Sequence, residues 1–111
     1  MSVPEVTATE AAALAESGAL LLDVRNDDEW TAGHAPGAQY LTLRELPART
    51  GELPTDRKIV AVCRVGGRSA KAVELLAAQG FDAVNLAGGM RAWAADGLPV
   101  VTDGGGDGTV I

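Results

Sequence analysis

Lys58-Ile59-Val60-Ala61-Val62, then Cys63-Arg64-Val65-Gly66-Gly67-Arg68, then Ser69 at the head of a helix-forming run to about Gln79, is the stretch that decides how this chain folds. Its first part is β-branched and apolar with no polar alternation, the pattern of a strand covered on both faces. Two glycines and two arginines interrupt that pattern, and Ser69 supplies a helix start. A buried strand, a short loop and a helix in direct succession form the unit from which parallel sheets are assembled.

Working outward, Gly80 ends the helix, residues 81–86 supply another strand, Gly88-Gly89 turns the chain, and residues 90–96 form a short helix before Gly97-Leu98-Pro99. On the N-terminal side, Thr7 with Glu10 three residues later is a capping-box signature; residues 11–16 are good helix formers and Gly18 stops them. Ala19-Leu20-Leu21-Leu22-Asp23-Val24 is a second nearly continuous apolar run, read as another doubly buried strand. Residues 27–32 form one or two helical turns carrying Trp30, residues 33–37 a turn, 38–42 a third extended segment and 43–49 a weaker helical stretch; 50–56 is a polar connection. Strand alternates with helix, so the expected class is α/β, a parallel sheet with helices on both faces. Ligands of such sheets sit where loops leave the carboxyl ends of strands, the position of the Cys63 loop.

The 111 residues, 47% hydrophobic and 22% charged, suit one domain over residues 1–103, leaving a glycine-rich tail at 104–111 that is expected to be mobile unless something ties it down. No apolar run approaches the roughly 20 residues of a membrane span and no export leader is evident, so a cytoplasmic protein without a membrane partner is expected. Nine basic against fifteen acidic residues, net charge -6, argue against nucleic-acid binding. Yet Arg57, Lys58, Arg64, Arg68 and Lys71 cluster in a segment without Asp or Glu, a cationic patch on an acidic chain. A single cysteine and a single histidine, His34, leave no disulfide framework and no protein-built zinc site; no metal and no cofactor are expected.

Cys63 therefore is either a small buried core residue or a nucleophile. Core packing gives no reason for two glycines and two arginines directly after it. A tight glycine loop turns successive N–H groups inward, and a helix start adds unsatisfied N–H groups, so both favour an anion near the sulfur. Arg64 and Arg68 add positive charge suited to an oxyanion. The effect is large: at pH 7 a pKa of about 8.5 leaves roughly 3% thiolate and one of about 6.5 roughly three quarters, a difference of about 2.7 kcal/mol.

Three segments carry a family resemblance: Leu22-Asp23-Val24-Arg25 through Glu29 to Gly33-His34-Ala35-Pro36-Gly37-Ala38; Cys63 to Ser69; and Gly88-Gly89-Met90-Arg91-Ala92-Trp93 with Gly97-Leu98-Pro99-Val100. In order and spacing they resemble a single-domain rhodanese, over roughly residues 5–101. The resemblance implies a five-stranded parallel sheet and a Cys63 persulfide. It implies a loop of Arg64, Val65, Gly66, Gly67, Arg68 and Ser69 that cradles the sulfur and binds the substrate, with Arg64 and Arg68 on the sulfonate of a donor such as thiosulfate. The acceptor would be cyanide or a thiol, including one on a protein. The alternative is a non-turnover persulfide carrier or a regulatory protein-binding module. Four residues separate Cys63 from Arg68, one fewer than in related cysteine phosphatases, and the tighter ring suits one sulfur atom rather than a tetrahedral phosphorus. His34 is read as part of a structural turn, Asp23 with Arg25 as an ion pair fixing a strand end, and Trp30 and Trp93 as core aromatics.

Overall fold

In the computed structural model, which describes residues 3–111, three strands are buried along their whole length: β2 (Leu20–Asp23), β4 (Ile59–Val62) and β5 (Ala83–Leu86). Side chains alternate across a strand, so each strand feeds two cores. Leu20, Leu22, Ile59 and Ala61 pack with Ala72, Val73 and Leu76 of α4 (Gly67–Ala78) and Leu46 of α3 (Leu46–Arg49). Leu21, Val60, Val62 and Val84 point the other way, toward Ala8 and Ala11 of α1 (Ala8–Glu16) and Met90 and Trp93 of α5 (Gly89–Ala95). A strand buried on both sides cannot afford polar alternation, which is why these runs read as continuous apolar stretches.

β1 (Glu5–Val6) and β3 (Gln39–Tyr40) complete a five-stranded, all-parallel sheet of order β1-β5-β4-β2-β3, with helices on both faces. Residue-level reading located four strands and missed β1. Two residues carry no periodicity, and β1 exists only through its pairing with β5, Glu5 opposite Asn85 and Val6 opposite Leu86. The capping box is present: Thr7 Oγ accepts the Glu10 N–H at 3.1 Å and the Glu10 carboxylate accepts the Thr7 N–H at 2.8 Å. The expected helix over 43–49 contracts to α3, and the polar connection begins with a 3-10 turn, Thr50–Glu52.

α4 starts two residues earlier than expected. Gly66 caps it at φ +109°, a left-handed conformation that suits glycine, and Ser69 lies inside the first turn with its hydroxyl directed elsewhere. β2 and β4 end together, Asp23 opposite Val62, so the loops that follow them leave side by side; the first leads into α2 (Asp27–Ala32) and the second into α4.

The glycine-rich 104–111 segment doubles back on the domain. His34 and Val101 exchange N–H to C=O bonds at 2.9 Å, the Gly108 N–H donates to the Val100 carbonyl at 2.8 Å, and the Thr109 N–H donates to the Ala32 carbonyl at 2.9 Å. Glycine is needed where the segments cross: a Cβ on Gly33 would stand 2.6 Å from the Thr109 backbone. The segment expected to be mobile unless tied down is thus hydrogen-bonded to the domain at Gly108 and Thr109. Among the described residues no helix is long and apolar enough to cross a membrane.

Candidate active site

Cys63 follows the last residue of β4 and is 1% exposed. The chain turns over its sulfur, and Sγ accepts hydrogen bonds from the Gly66 N–H at 3.0 Å and the Ser69 hydroxyl at 3.2 Å. α5 holds the loop from behind. The Met90 N–H donates to the Cys63 carbonyl at 2.8 Å and the Arg91 N–H to the Arg64 carbonyl at 3.1 Å. With those carbonyls turned back toward α5, the N–H groups further along the loop are turned toward the sulfur, the concave arrangement that receives an anion. Gly89 makes this approach possible: its φ is +59°, and a Cβ there would lie 2.4 Å from the Cys63 carbonyl oxygen. In the sequence Gly88-Gly89 reads only as a turn, because a close approach between segments 26 residues apart leaves no local pattern.

Burial pushes the Cys63 thiol up, but the Ser69 hydroxyl and the backbone N–H groups of Ser69, Gly66 and Val65 outweigh it and hold the thiol below its ordinary value. The cradle is thus made of neutral donors. Neither arginine is hydrogen-bonded to the sulfur. Arg68 reaches across to α2 and grips both carboxylate oxygens of Glu29, at 2.7 and 2.8 Å, and Arg64 donates through Nε to the Ile111 carbonyl at 2.9 Å. The Arg68 hydrogen bonds pull Glu29 down to about 2, against the opposing effect of its burial. Glu29 in turn raises Arg68 above its usual value, with a smaller long-range contribution from Cys63. Of the other loop residues expected at the site, Val65 exposes its side chain and presents its N–H inward, and Gly67 opens α4.

His34 stacks on Trp30 with ring centroids 3.5 Å apart, its Nδ1 lies 2.9 Å from the Trp30 carbonyl and its Nε2 3.4 Å from Asp103; none of these partners belongs to the Cys63 loop. Asp23 and Arg25 form the expected ion pair at 2.7 Å, with both side chains excluded from water, and Arg25 also donates to the Gly33 carbonyl at 2.8 Å. Trp93 is a core aromatic whose Nε1 donates to the Pro99 carbonyl at 2.8 Å. Trp30 differs from expectation: it is half-buried and sandwiched between His34 and Tyr40, a surface stack and not a core residue.

Sequence reasoning missed Asn85, which is 1% exposed in the middle of β5. It accepts from the Ser69 hydroxyl at 2.5 Å and donates to the Gly66 carbonyl at 3.0 Å and the Glu5 carboxylate at 3.1 Å. The available signal was one polar residue in an otherwise apolar strand. No cluster of three or more His, Cys, Asp or Glu that could hold a metal ion occurs among the described residues. What remains is a single ionisable sulfur, ringed by neutral donors at the carboxyl end of a parallel sheet, an arrangement that favours the thiolate over the thiol.

The chain matches the model of the Rhodanese-like domain family over residues 7–96. It is 44% identical over 87 residues to a sulfurtransferase of Allochromatium vinosum, covering 78% of this chain and 81% of that one. Its backbone is similar to a rhodanese-related protein from Thermoplasma volcanium, at a TM-score of 0.86 and 30% identity, covering 90% of this chain and 99% of that one. It is also similar to the thiosulfate sulfurtransferase of Pseudomonas aeruginosa, at a TM-score of 0.80 and 27% identity, covering 90% of this chain but 19% of that longer protein.

Proposed function

The chain belongs to the rhodanese-like family of sulfurtransferases, and from that premise we propose that it moves a sulfane sulfur from thiosulfate, or a similar donor, through a Cys63 persulfide to cyanide or a thiol acceptor. The Cys63 thiolate attacks the outer sulfur of thiosulfate. A Cys63–sulfur bond forms, the bond to the sulfonate group breaks, and its electron pair leaves with sulfite. Cyanide or a thiolate then attacks the outer sulfur of the persulfide, and the pair from the broken S–S bond returns to Cys63. No oxidant, reductant or metal enters the balance.

The observation that carries this reading is the pair of bonds on Sγ from the Gly66 N–H and the Ser69 hydroxyl, which stabilise sulfur as an anion without neutralising it. Arg68 uses two of its five N–H donors on Glu29, and the others, with Arg64, would take the sulfonate oxygens of the donor. The four-residue spacing from Cys63 to Arg68 supports a sulfur-sized cradle over a phosphate-sized one.

One observation favours a second reading, a persulfide carrier serving a single protein partner: Arg68 and Arg64 are each turned to a partner within the chain, so a small anion meets only their remaining N–H groups, whereas a protein docking on the loop has the surface to rearrange both. Incubating the protein with thiosulfate and recording its intact mass separates the readings from each other and from inactivity. A gain of about 32 Da that Cys63→Ser abolishes, discharged by cyanide as thiocyanate, is the expected result. A gain that small acceptors fail to discharge selects the carrier. No gain, from folded protein with a free thiol, removes thiosulfate as the donor.

A further inference from the structure

The buried amide of Asn85 has one hydrogen-bonding arrangement open to it. Its two donated bonds go to the Gly66 carbonyl and the Glu5 carboxylate, groups that only accept, so turning the amide over would set its oxygen against two other oxygens. Oδ1 therefore faces Ser69, and the 2.5 Å contact is a bond donated by the hydroxyl. Ser69 is itself fully buried, and its one hydroxyl hydrogen has two acceptors in reach, Asn85 Oδ1 and Cys63 Sγ. With the sulfur as a neutral thiol, the hydrogen rests on Oδ1 and a lone pair of Oγ is left for the thiol hydrogen. With the sulfur as an anion, a charge-assisted bond draws the hydrogen onto Sγ. Oδ1 thus competes with Sγ for that hydrogen, and what Asn85 contributes to the anion is the place it gives Oγ and the Gly66 peptide, not the hydrogen itself.

We propose that Asn85 is a positioning residue for Cys63: it fixes where the Ser69 hydroxyl and the Gly66 peptide stand, so that both face the sulfur when it is charged. β1 enters the site through this residue, because Glu5 lies opposite Asn85 in the sheet and anchors the far end of the amide. Without Asn85 the Gly66 carbonyl loses a donor, and the Ser69 hydroxyl turns to the carbonyls of its own helix turn, as buried serines in helices do. The proposal rests on Cys63 being the nucleophile and not on which donor it uses.

The test is the pH profile of Cys63 alkylation by iodoacetamide, which reads the thiolate without any sulfur donor. The charged groups nearest the site, Arg64 next to Cys63 in the chain, Arg68 with its partner Glu29, and Glu5 behind Asn85, are kept in every variant. Asn85→Val suits a strand and removes all three bonds. Its alkylation midpoint is expected to rise by about 0.5–1 pH unit, a ~3–10-fold loss of thiolate at a pH below both midpoints. Added to Ser69→Ala, the same substitution should shift the midpoint by clearly less than it does alone, which a role in packing would not produce. If the Val variant does not fold, Asn85→Thr, which cannot donate two bonds, is expected to move the midpoint in the same direction. A midpoint at or below that of the parent, or fully additive shifts, overturns the proposal. A shifted midpoint in a protein that takes no sulfur from thiosulfate leaves the positioning role standing and removes the thiosulfate reading; normal sulfur uptake with an unmoved midpoint does the reverse.

Discussion

The carboxyl ends of β2 and β4 lie side by side in the sheet, equally buried, and each carries an ionisable side chain, yet they are completed in opposite ways. At the end of β2, Asp23 is matched by the Arg25 guanidinium at 2.7 Å, a closed pair of full charges. One residue past the end of β4, Cys63 is met only by neutral donors, the Gly66 N–H and the Ser69 hydroxyl. A full counter-charge satisfies an anion and ties it down, which makes a brace. Neutral dipoles lower the energy of the anion while leaving its charge available to an incoming electrophile, which is what the proposed role of Cys63 needs.

Breaking the brace is the largest expected effect. Arg25→Met strands Asp23 without its counter-charge in a site closed to water and should destabilise the fold by about 3–5 kcal/mol in urea unfolding, while any protein that remains folded keeps a reactive Cys63. Retained stability would mean that the two strand ends differ less than their partners suggest. Ser69→Ala tests the other end. It should leave stability closer to the parent and raise the Cys63 alkylation midpoint, so that reactivity near pH 7 falls about 3–10-fold, the signature of a lost bond to the charged form. An unmoved midpoint would assign the thiolate to the backbone N–H groups alone.

The smallest effect belongs to the clasp that joins the two loops. Because Arg68 holds the Glu29 carboxyl at about 2, below its ordinary 4.5, the charged form is favoured by folding. That contribution is complete above pH 4.5 and is lost as pH falls toward 2. Parent and Glu29→Gln stabilities should therefore differ most above pH 4.5 and converge toward pH 2, and a gap that stays constant in acid would show that Arg68 does not depend on that charge. Since Arg68 is partly exposed, the gap should be small.

Much of the site was legible because it is local. The strand–loop–helix unit, the capping box at Thr7 and the pairing of Asp23 with Arg25 two residues away are all set within a few positions of the chain. Expectation failed where a side chain chose a distant partner. Ser69 looked like a helix cap, but the sulfur and Asn85 compete for its hydroxyl and Gly66 takes the cap. Arg68 reads as an anion ligand beside Cys63, and nothing near it in the chain shows that two of its N–H groups are held by Glu29, 39 residues earlier. β1 was invisible because two residues make a strand only when β5 offers them an edge.

The order of residues by itself determined the α/β class, the doubly buried strands and the placing of one cysteine in a glycine loop at a strand end, because periodicity, chain turns and helix starts are properties of neighbouring residues. Tertiary structure alone decided what surrounds the sulfur: which N–H groups face it, which arginines are already engaged, and that Asn85 and Glu5 stand behind Ser69. A guanidinium or an amide takes the best-placed acceptor within about 3 Å, and that distance is set by packing between segments that the sequence keeps dozens of residues apart.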